Sequence, residues 1–217
     1  MNIELARFNM IEQQIRPWEV LDQDVLSLLA IVKREDFVPE GCRGLAFFDT
    51  EVPLPHGQAM LAPKVEARLL QAVHLARHER VLEVGAGSGY MAALLAHRAQ
   101  QVTSLEIRPA LAAMAAANLR HAGIANATVR EADGSQGLPG EGPFDVIVLS
   151  GSVAAVPQAL LEQLKPGGRL VAIVGQEPVM QATLITHVGA SQFKHEELFD
   201  TSAPRLQGFA EPAPFHF

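Results

Sequence analysis

The chain has little cysteine, few clustered basic residues and no long apolar run. Cys42 is the one cysteine among 217 residues, so no intramolecular disulfide can form, and a reducing, cytoplasmic compartment is expected. The longest candidate for a bilayer crossing is "VLSLLAIV" at 25–32, flanked by Asp24 and Lys33, well short of the roughly 20 apolar residues that a helical span needs. The opening "MNIELARFNM" has no basic flank followed by an apolar core, so it does not read as a secretory signal. Lys and Arg number 17 against 24 Asp and Glu, giving a formal charge of −7, and the longest basic run is "KR" at 33–34. A sequence-independent grip on nucleic acid is built from clustered cations that displace counterions, so neither a nucleic-acid nor a membrane partner is expected. There is no internal repeat and no low-complexity linker.

A composition of 48% hydrophobic and 19% charged residues supports one substantial core. The first third reads as helices and structured loops. "ELARFNMIEQQI" has helical spacing, and "DQDVLSLLAIVK" places Val25, Leu28, Leu29 and Val32 inward, with Asp22 as N-cap. "REDFVPEGCRGLAFFDTEVPLPHGQ" is punctuated by Pro39, Gly41, Gly44, Pro53, Pro55 and Gly57, which predicts a loop region. From residue 63 onward strand and helix patterns alternate. Pro63 opens a helix along Val65, Leu69, Leu70 and Val73; then follow "RVLEV", "YMAALLAHRA", "QVTSLE", a helix from Pro109 to Gly123, "ATVREA", "FDVIVL", "PQALLEQLK" and "RLVAIV". The apolar strands lack polar alternation, as strands covered on both faces should. "PVMQATLITHV" and "SQFKHEELF" are joined only by Gly189 to Ser191, so they must pair antiparallel. The expected fold is α/β: a doubly wound, mostly parallel, Rossmann-like sheet with a terminal antiparallel hairpin and a helical N-terminal extension. Residues 1–62 form that extension over the substrate side, and residues 63–217 form the binding domain.

"VLEVGAGSGY" at 81–90 runs a strand through Gly85, Gly87 and Gly89 into a helix, setting bare backbone and a helix N-terminus against a ligand. Glu106 closes the next strand, where a carboxylate can accept hydrogen bonds from both ribose hydroxyls. An adenosine-type ligand fits this arrangement, while a tight structural turn is the bland alternative. The spacing is G-x-G-x-G, and the sheet ends in a hairpin where a dinucleotide fold would repeat its mononucleotide half. S-adenosyl-L-methionine is therefore favoured over a nicotinamide dinucleotide.

The same residues, with "ADG" at 132–134, "FDVIVLSG" at 144–151 and "LKPGGRLV" at 164–171, resemble the successive motifs of class I S-adenosylmethionine-dependent methyltransferases. Within that class "MIEQQI" at 10–15, "REDFVPE" at 34–40, "FFDTEVPLPHGQ" at 47–58, "GSGYMAALLA" at 87–96 and "VPQALLEQLKPGGRLVAIVG" at 156–175 resemble the protein-L-isoaspartate O-methyltransferase family. The resemblance spans roughly the first four-fifths of the chain. It implies that Glu83, Gly85, Gly87 and Gly89 surround the methionine half of the cofactor, that Glu106 takes the ribose, and that Asp133 and Gly134 meet the adenine. It also implies that Gln58, Ala59, Leu61 and Ser150 stand at the reacting end, with S-adenosylhomocysteine as the second product and a peptide, protein or small carboxylate as acceptor.

The chain departs from the family at "GQAMLAPK", 57–64. The family's loop typically reads Gly-Gln-Thr-Ile-Ser-Gln-Pro; here Ala59 and Leu61 replace the two hydroxyls. One hydrogen bond to a charged group is worth about 1.5–3 kcal/mol, and Lys64, Gln58, His56 and Ser152 are the neighbours able to replace it. Two alternatives stay open: a methyltransferase with another acceptor, and a regulatory protein that binds the cofactor without transferring its methyl. A base-modifying methyltransferase is least favoured, since "VIVL" is not followed by the Asn/Asp-Pro-Pro-aromatic cluster. His74 and His78, four apart on an expected helix, lack a third ligand, and no metal is expected. His97 and His121 suit helix C-termini, Cys42 has no activating neighbour, and Asp49 either lines the substrate entrance or caps a turn.

Overall fold

The computed structural model describes residues 2–211. Helix α1 (Ile3–Asn9) is capped by Asn2 and continues through a π-helical turn, Met10–Ile15. In α2 (Gln23–Ile31) the Asp22 carboxylate accepts from the amides of Asp24 and Val25, satisfying donors the first helical turn leaves free. The expected inward residues are buried, with Leu26 alongside them. Replacing this cap by Asp22→Ala is expected to cost about 1 kcal/mol, read as a fall of about 2–4 °C in Tm for a chain of this size.

The segment expected as loop is a series of 3-10 turns, Arg34–Asp36 and Glu40–Phe47, followed by a small hairpin of β1 (Val52–Leu54) and β2 (Gln58–Met60). Helix α3 (Pro63–Val73) has no cap of its own at Ala62. Asp49 supplies one from the preceding loop, its carboxylate accepting from the Lys64 amide at 3.2 Å and pairing with Lys64 Nζ at 2.8 Å. Of the two readings for Asp49, the cap is what the structure contains.

The remaining elements are β3 (Arg80–Val84), α4 (Tyr90–Arg98), β4 (Gln101–Glu106), α5 (Pro109–His121), β5 (Ala127–Glu131), β6 (Phe144–Val153), α6 (Gln158–Leu161), β7 (Leu164–Gln176), β8 (Val179–Gly189) and β9 (Gln192–Thr201). They form one seven-stranded sheet of order β5-β4-β3-β6-β7-β8-β9. The strands from β5 to β7 are parallel, and β8 and β9 are antiparallel additions. The expected hairpin is thus the outer part of a three-strand meander. Its tight turn puts both Ala190 and Ser191 at positive φ, which matches the right-handed twist of the flanking strands.

Side chains one residue apart fall into two separate apolar clusters. Val81, Val146, Val148, Val171 and Ile173 meet α3, α4 and the N-terminal helices. Leu82, Val84, Ile147, Leu149 and Leu170 meet α6 and Phe209. Strands apolar on both faces need cover on both faces, and this chain supplies it. The first cluster runs unbroken from Met10 to Ala203, so residues 1–62 share a core with the sheet. Only the first turn of "PQALLEQLK" is helical. His74 and His78 do not share a helix either: α3 stops at Val73, and His74 is its left-handed cap at φ 42°. Among the described residues no helix is long and apolar enough to cross a membrane, and no three His, Cys, Asp or Glu gather as metal ligands.

Candidate active site

The strand order reverses between β3 and β6: the chain leaves β3 toward β4 and β5, then returns to β6 on the other side. Open α/β sheets bind ligands in the crevice at that point, beyond the carboxyl ends of the strands. Here the crevice holds a cavity lined by Gln58, Ala59, Gly85, Gly87, Glu106 and Ser150, with Gly134 behind and Pro204–Gln207 across it.

Gly85 and Gly87 adopt φ of 94° and 52°, a region closed to most side chains. A Cβ on Gly87 would meet nothing nearer than Leu54 at 3.4 Å, so its missing side chain leaves space for a ligand. Gly89 serves packing instead: it precedes α4 at φ 86°, and a Cβ there would stand 3.0 Å from the Ala115 carbonyl on α5. Gly134 is equally constrained, since a Cβ would lie 2.3 Å from Val84.

Glu106 ends β4 with one carboxylate oxygen accepting from the Gly87 amide at 2.9 Å and the other from the Arg108 amide at 3.1 Å. Its orientation is fixed before any ligand arrives, and each oxygen keeps a lone pair. Asp133 stands apart from the cavity lining. Its carboxylate accepts from the Ser135 amide at 2.9 Å, and a Cβ on Gly208 would touch it at 2.4 Å. The C-terminal segment therefore lies over Asp133, and Ala132 and Gly134 face the cavity in its place.

Glu83 is fully buried on β3, where Ser104 Oγ donates to one carboxylate oxygen at 2.6 Å and Ser150 Oγ to the other at 2.7 Å. Burial pushes its carboxyl up to about 7, against the pull of the two hydroxyls and with the Glu106 charge adding to the rise. Beside it a small adjoining cavity is lined by Ala59, Leu61, Glu66, Gly85 and Tyr90. Burial likewise raises Glu66 to about 7, with Arg34 opposing and Glu83 reinforcing the shift. Arg34 Nε stands 3.5 Å from Glu66 Oε2, an ion-pair contact too long for a good hydrogen bond, so that oxygen is buried and unpartnered among the described residues. Glu83 has no cationic partner and Glu66 keeps one acceptor that Arg34 leaves unmet, so this corner can take a further cation. This donor set, with the open backbone at Gly87, fits the ammonium and sulfonium of an adenosyl-methionine ligand.

Arg34 is 1% exposed and holds this corner together. It donates to the Leu61 carbonyl at 2.7 Å and to the Ala46 carbonyl at 3.4 Å, tying the 3-10 segment to the loop after β2. Leu61 is itself buried, so at that position the chain uses its side chain for packing. Of the donors expected to replace the missing hydroxyls, Gln58 lines the cavity. Ser152 Oγ is committed to the Ala203 carbonyl, Lys64 to Asp49 and the face of Trp18, and His56 is exposed on the hairpin turn.

Sequence reasoning missed Arg34, Glu66 and Arg205. Glu66 had a signal: it falls on the buried face of α3 between Val65 and Leu69, where an acid is costly without a partner. Arg34 sits in "KRED", which reads as a solvated charge run, and Arg205 follows no periodic pattern.

A doubly wound sheet with a glycine-bounded cavity at its reversal point, an acid at the tip of β4 and a cation-seeking wall defines a class I methyltransferase fold. The family model of Protein-L-isoaspartate(D-aspartate) O-methyltransferase (PCMT) matches residues 6–201, further than the four-fifths read from the motifs, and the chain belongs to that family. It is 42% identical over 212 residues to Protein-L-isoaspartate O-methyltransferase 1 of Rhodopseudomonas palustris, covering 96% of this chain and 86% of the relative. With the Protein-L-isoaspartate O-methyltransferase of Koribacter versatilis it shares 40% identity over 196 residues, 90% and 88% of the two chains. A crystal structure from Plasmodium falciparum, described as a putative enzyme of this family in complex with S-adenosyl-L-homocysteine, superposes with TM-score 0.77 over 93% of this chain and 98% of that one, at 22% identity.

Proposed function

We propose that this chain transfers the methyl group of S-adenosyl-L-methionine to the free carboxylate of isoaspartyl residues in peptides and proteins, releasing S-adenosyl-L-homocysteine. The observation that carries the reading is the pairing of a glycine-lined cavity at the sheet reversal with two buried carboxylates, Glu83 with no cationic partner and Glu66 with one oxygen left unmet by Arg34. Family membership with relatives at about 40% identity supports the acceptor class.

The cofactor supplies an electrophilic methyl on a cationic sulfur. Glu83, held by Ser104 and Ser150, and Glu66 behind it compensate the positive charge of the methionine half. Glu106 accepts from the ribose hydroxyls with the lone pairs its amide bonds leave free, and Ala132 and Gly134 border the adenine. Gln58, Ala59 and the segment Pro204–Gln207 exclude water from the line of displacement. An acceptor carboxylate is already ionised near neutral pH, so no side chain need act as general base, and none is assigned that role. Residues 1–62 cover the acceptor side of domain 63–217. A charge of −7 and a single thiol support a cytoplasmic enzyme acting on protein in preference to nucleic acid or membrane.

The test is transfer of labelled methyl from the cofactor to a synthetic isoaspartyl peptide, with the aspartyl peptide of the same sequence as control. Base-labile label on the isoaspartyl form alone is expected. Tight cofactor binding without ester on either peptide would overturn the acceptor while leaving the fold untouched.

A further inference from the structure

The acceptor proposed above is an anion, yet the walls it must enter carry Glu83, Glu106 and Glu66. Beyond the same wall, a second groove is bordered by Glu51 and Glu177. Among the described residues that line the cavity and this groove, Arg205 is the only positively charged side chain. It lines both.

Its position is built by the backbone. After β3 ends at Val84, the place beside β6 is taken by the C-terminal segment: the Ser152 amide donates to the Pro204 carbonyl at 2.8 Å and the Leu206 amide to the Ser152 carbonyl at 2.9 Å. Leu206 turns onto Gly85 and Gly151, where a Cβ would come within 2.6 and 2.8 Å of it, and joins the cluster of Leu82 and Val84. Successive side chains of an extended segment point to opposite faces, so Arg205 emerges on the other face, the one that carries Glu83 and Ser150. Its side chain is 27% exposed; Nη2 donates to the Gly175 carbonyl at 2.9 Å, and Nε pairs with the half-exposed Glu211 at 3.0 Å. Nη1 is buried without a partner among the described residues. A guanidinium holding one weakly tethered carboxylate and one idle donor can exchange that carboxylate for another.

We propose that Arg205 is the specificity-determining residue for the acceptor, receiving the substrate carboxylate that the side chains of Ala59 and Leu61 cannot bind. The inference rests on the isoaspartyl reading. In this chain recognition of the anion has moved from positions 59 and 61 to the C-terminal segment.

The experiment compares the full-length wild type with Arg205→Met, which keeps the packing, and Arg205→Lys, which keeps the charge. KM and kcat for an isoaspartyl peptide are measured at saturating cofactor and at several salt concentrations, and cofactor affinity by calorimetry. For Arg205→Met the expected result is a KM raised about 10- to 100-fold, little change in kcat, unchanged cofactor affinity, and loss of the salt dependence of KM. Arg205→Lys should recover part of the KM and all of the salt dependence. An unchanged KM in Arg205→Met overturns the proposal. So does a parallel loss of cofactor affinity, which would make Arg205 a brace for the C-terminal segment through Gly175. Absence of ester with the wild type removes the isoaspartyl reading itself, and this proposal with it; wild-type turnover with a normal Arg205→Met removes the proposal alone.

Discussion

Replacing Glu83 by Gln is expected to weaken binding of S-adenosyl-L-methionine by about 10- to 150-fold, the equivalent of about 1.5–3 kcal/mol for one lost charge-assisted hydrogen bond. The same change should stabilise the unliganded protein at pH 8. The Glu83 carboxyl is raised to about 7 in the fold, against an ordinary value of about 4.3, so folding prefers its neutral form. A raised carboxyl contributes stability that is complete below the unfolded value and is lost as pH climbs through about 7. Ionising it within the fold costs on the order of 3–4 kcal/mol by pH 8, and Gln removes that cost. Ser104 and Ser150 can each donate or accept, so the amide keeps its partners.

The cofactor reverses the sign, because a cation favours the ionised carboxylate. Wild-type affinity should therefore rise from pH 6 to 8 with release of protons, measurable as a dependence of calorimetric heat on the buffer's ionisation enthalpy. Both signals should shrink in Glu83→Gln, with Glu66 left to supply the remainder. Equal affinity in the two proteins across that range would show that Glu83 does not face the ligand's charge.

The second large effect concerns Arg34. Arg34→Leu is expected to destabilise the fold by about 3–5 kcal/mol, the usual cost of removing one partner from a buried ion pair, and the loss should be larger at pH 8 than at pH 5.5. Glu66 explains the difference, since without its cation it can stay buried at low pH by taking a proton. Three attachments go at once: the Leu61 carbonyl, the Ala46 carbonyl and the Glu66 contact. The double variant Arg34→Leu, Glu66→Leu should regain part of the loss by replacing the pair with apolar surface. Urea unfolding at the two pH values measures all four corners of the cycle, and additive losses would mean that Arg34 and Glu66 act independently.

The part of the fold from residue 63 was legible in the sequence because most elements there, the short α6 excepted, are long enough to show their own period. The apolar run "VIVL" and the helix opened by Pro109 and closed by Gly123 state their geometry locally. The first third was less so. Val52–Leu54 and Gln58–Met60 pair as strands, but Pro53 and Pro55 demote that stretch in any propensity argument, and the 3-10 turns of 40–47 have no period to detect. His74 and His78 misled because spacing alone does not say where a helix stops.

The site divides the same way. Gly85, Gly87 and Glu106 are legible because their roles follow from strand ends and turns. Asp133 accepts from the Ser135 amide beneath Gly208, an arrangement that the motif "ADG" does not state. Arg34 and Arg205 take their meaning from partners 27 and 30 residues away along the chain, Leu61 and Gly175. No local pattern encodes such a distance.

The strand-like pairing of Ser152 with Arg205 also has a consequence for biosynthesis. A ribosome delivers the chain from its amino end, and the wall formed by Pro204–Gln207 follows every strand of the sheet. A nascent chain can wind the whole Rossmann-like sheet, glycine turns included, while the crevice is still open on one side. Protection of the fold by the adenosyl ligand is therefore expected to depend on the segment Pro204–Gln207, which completes the cavity after the sheet is formed.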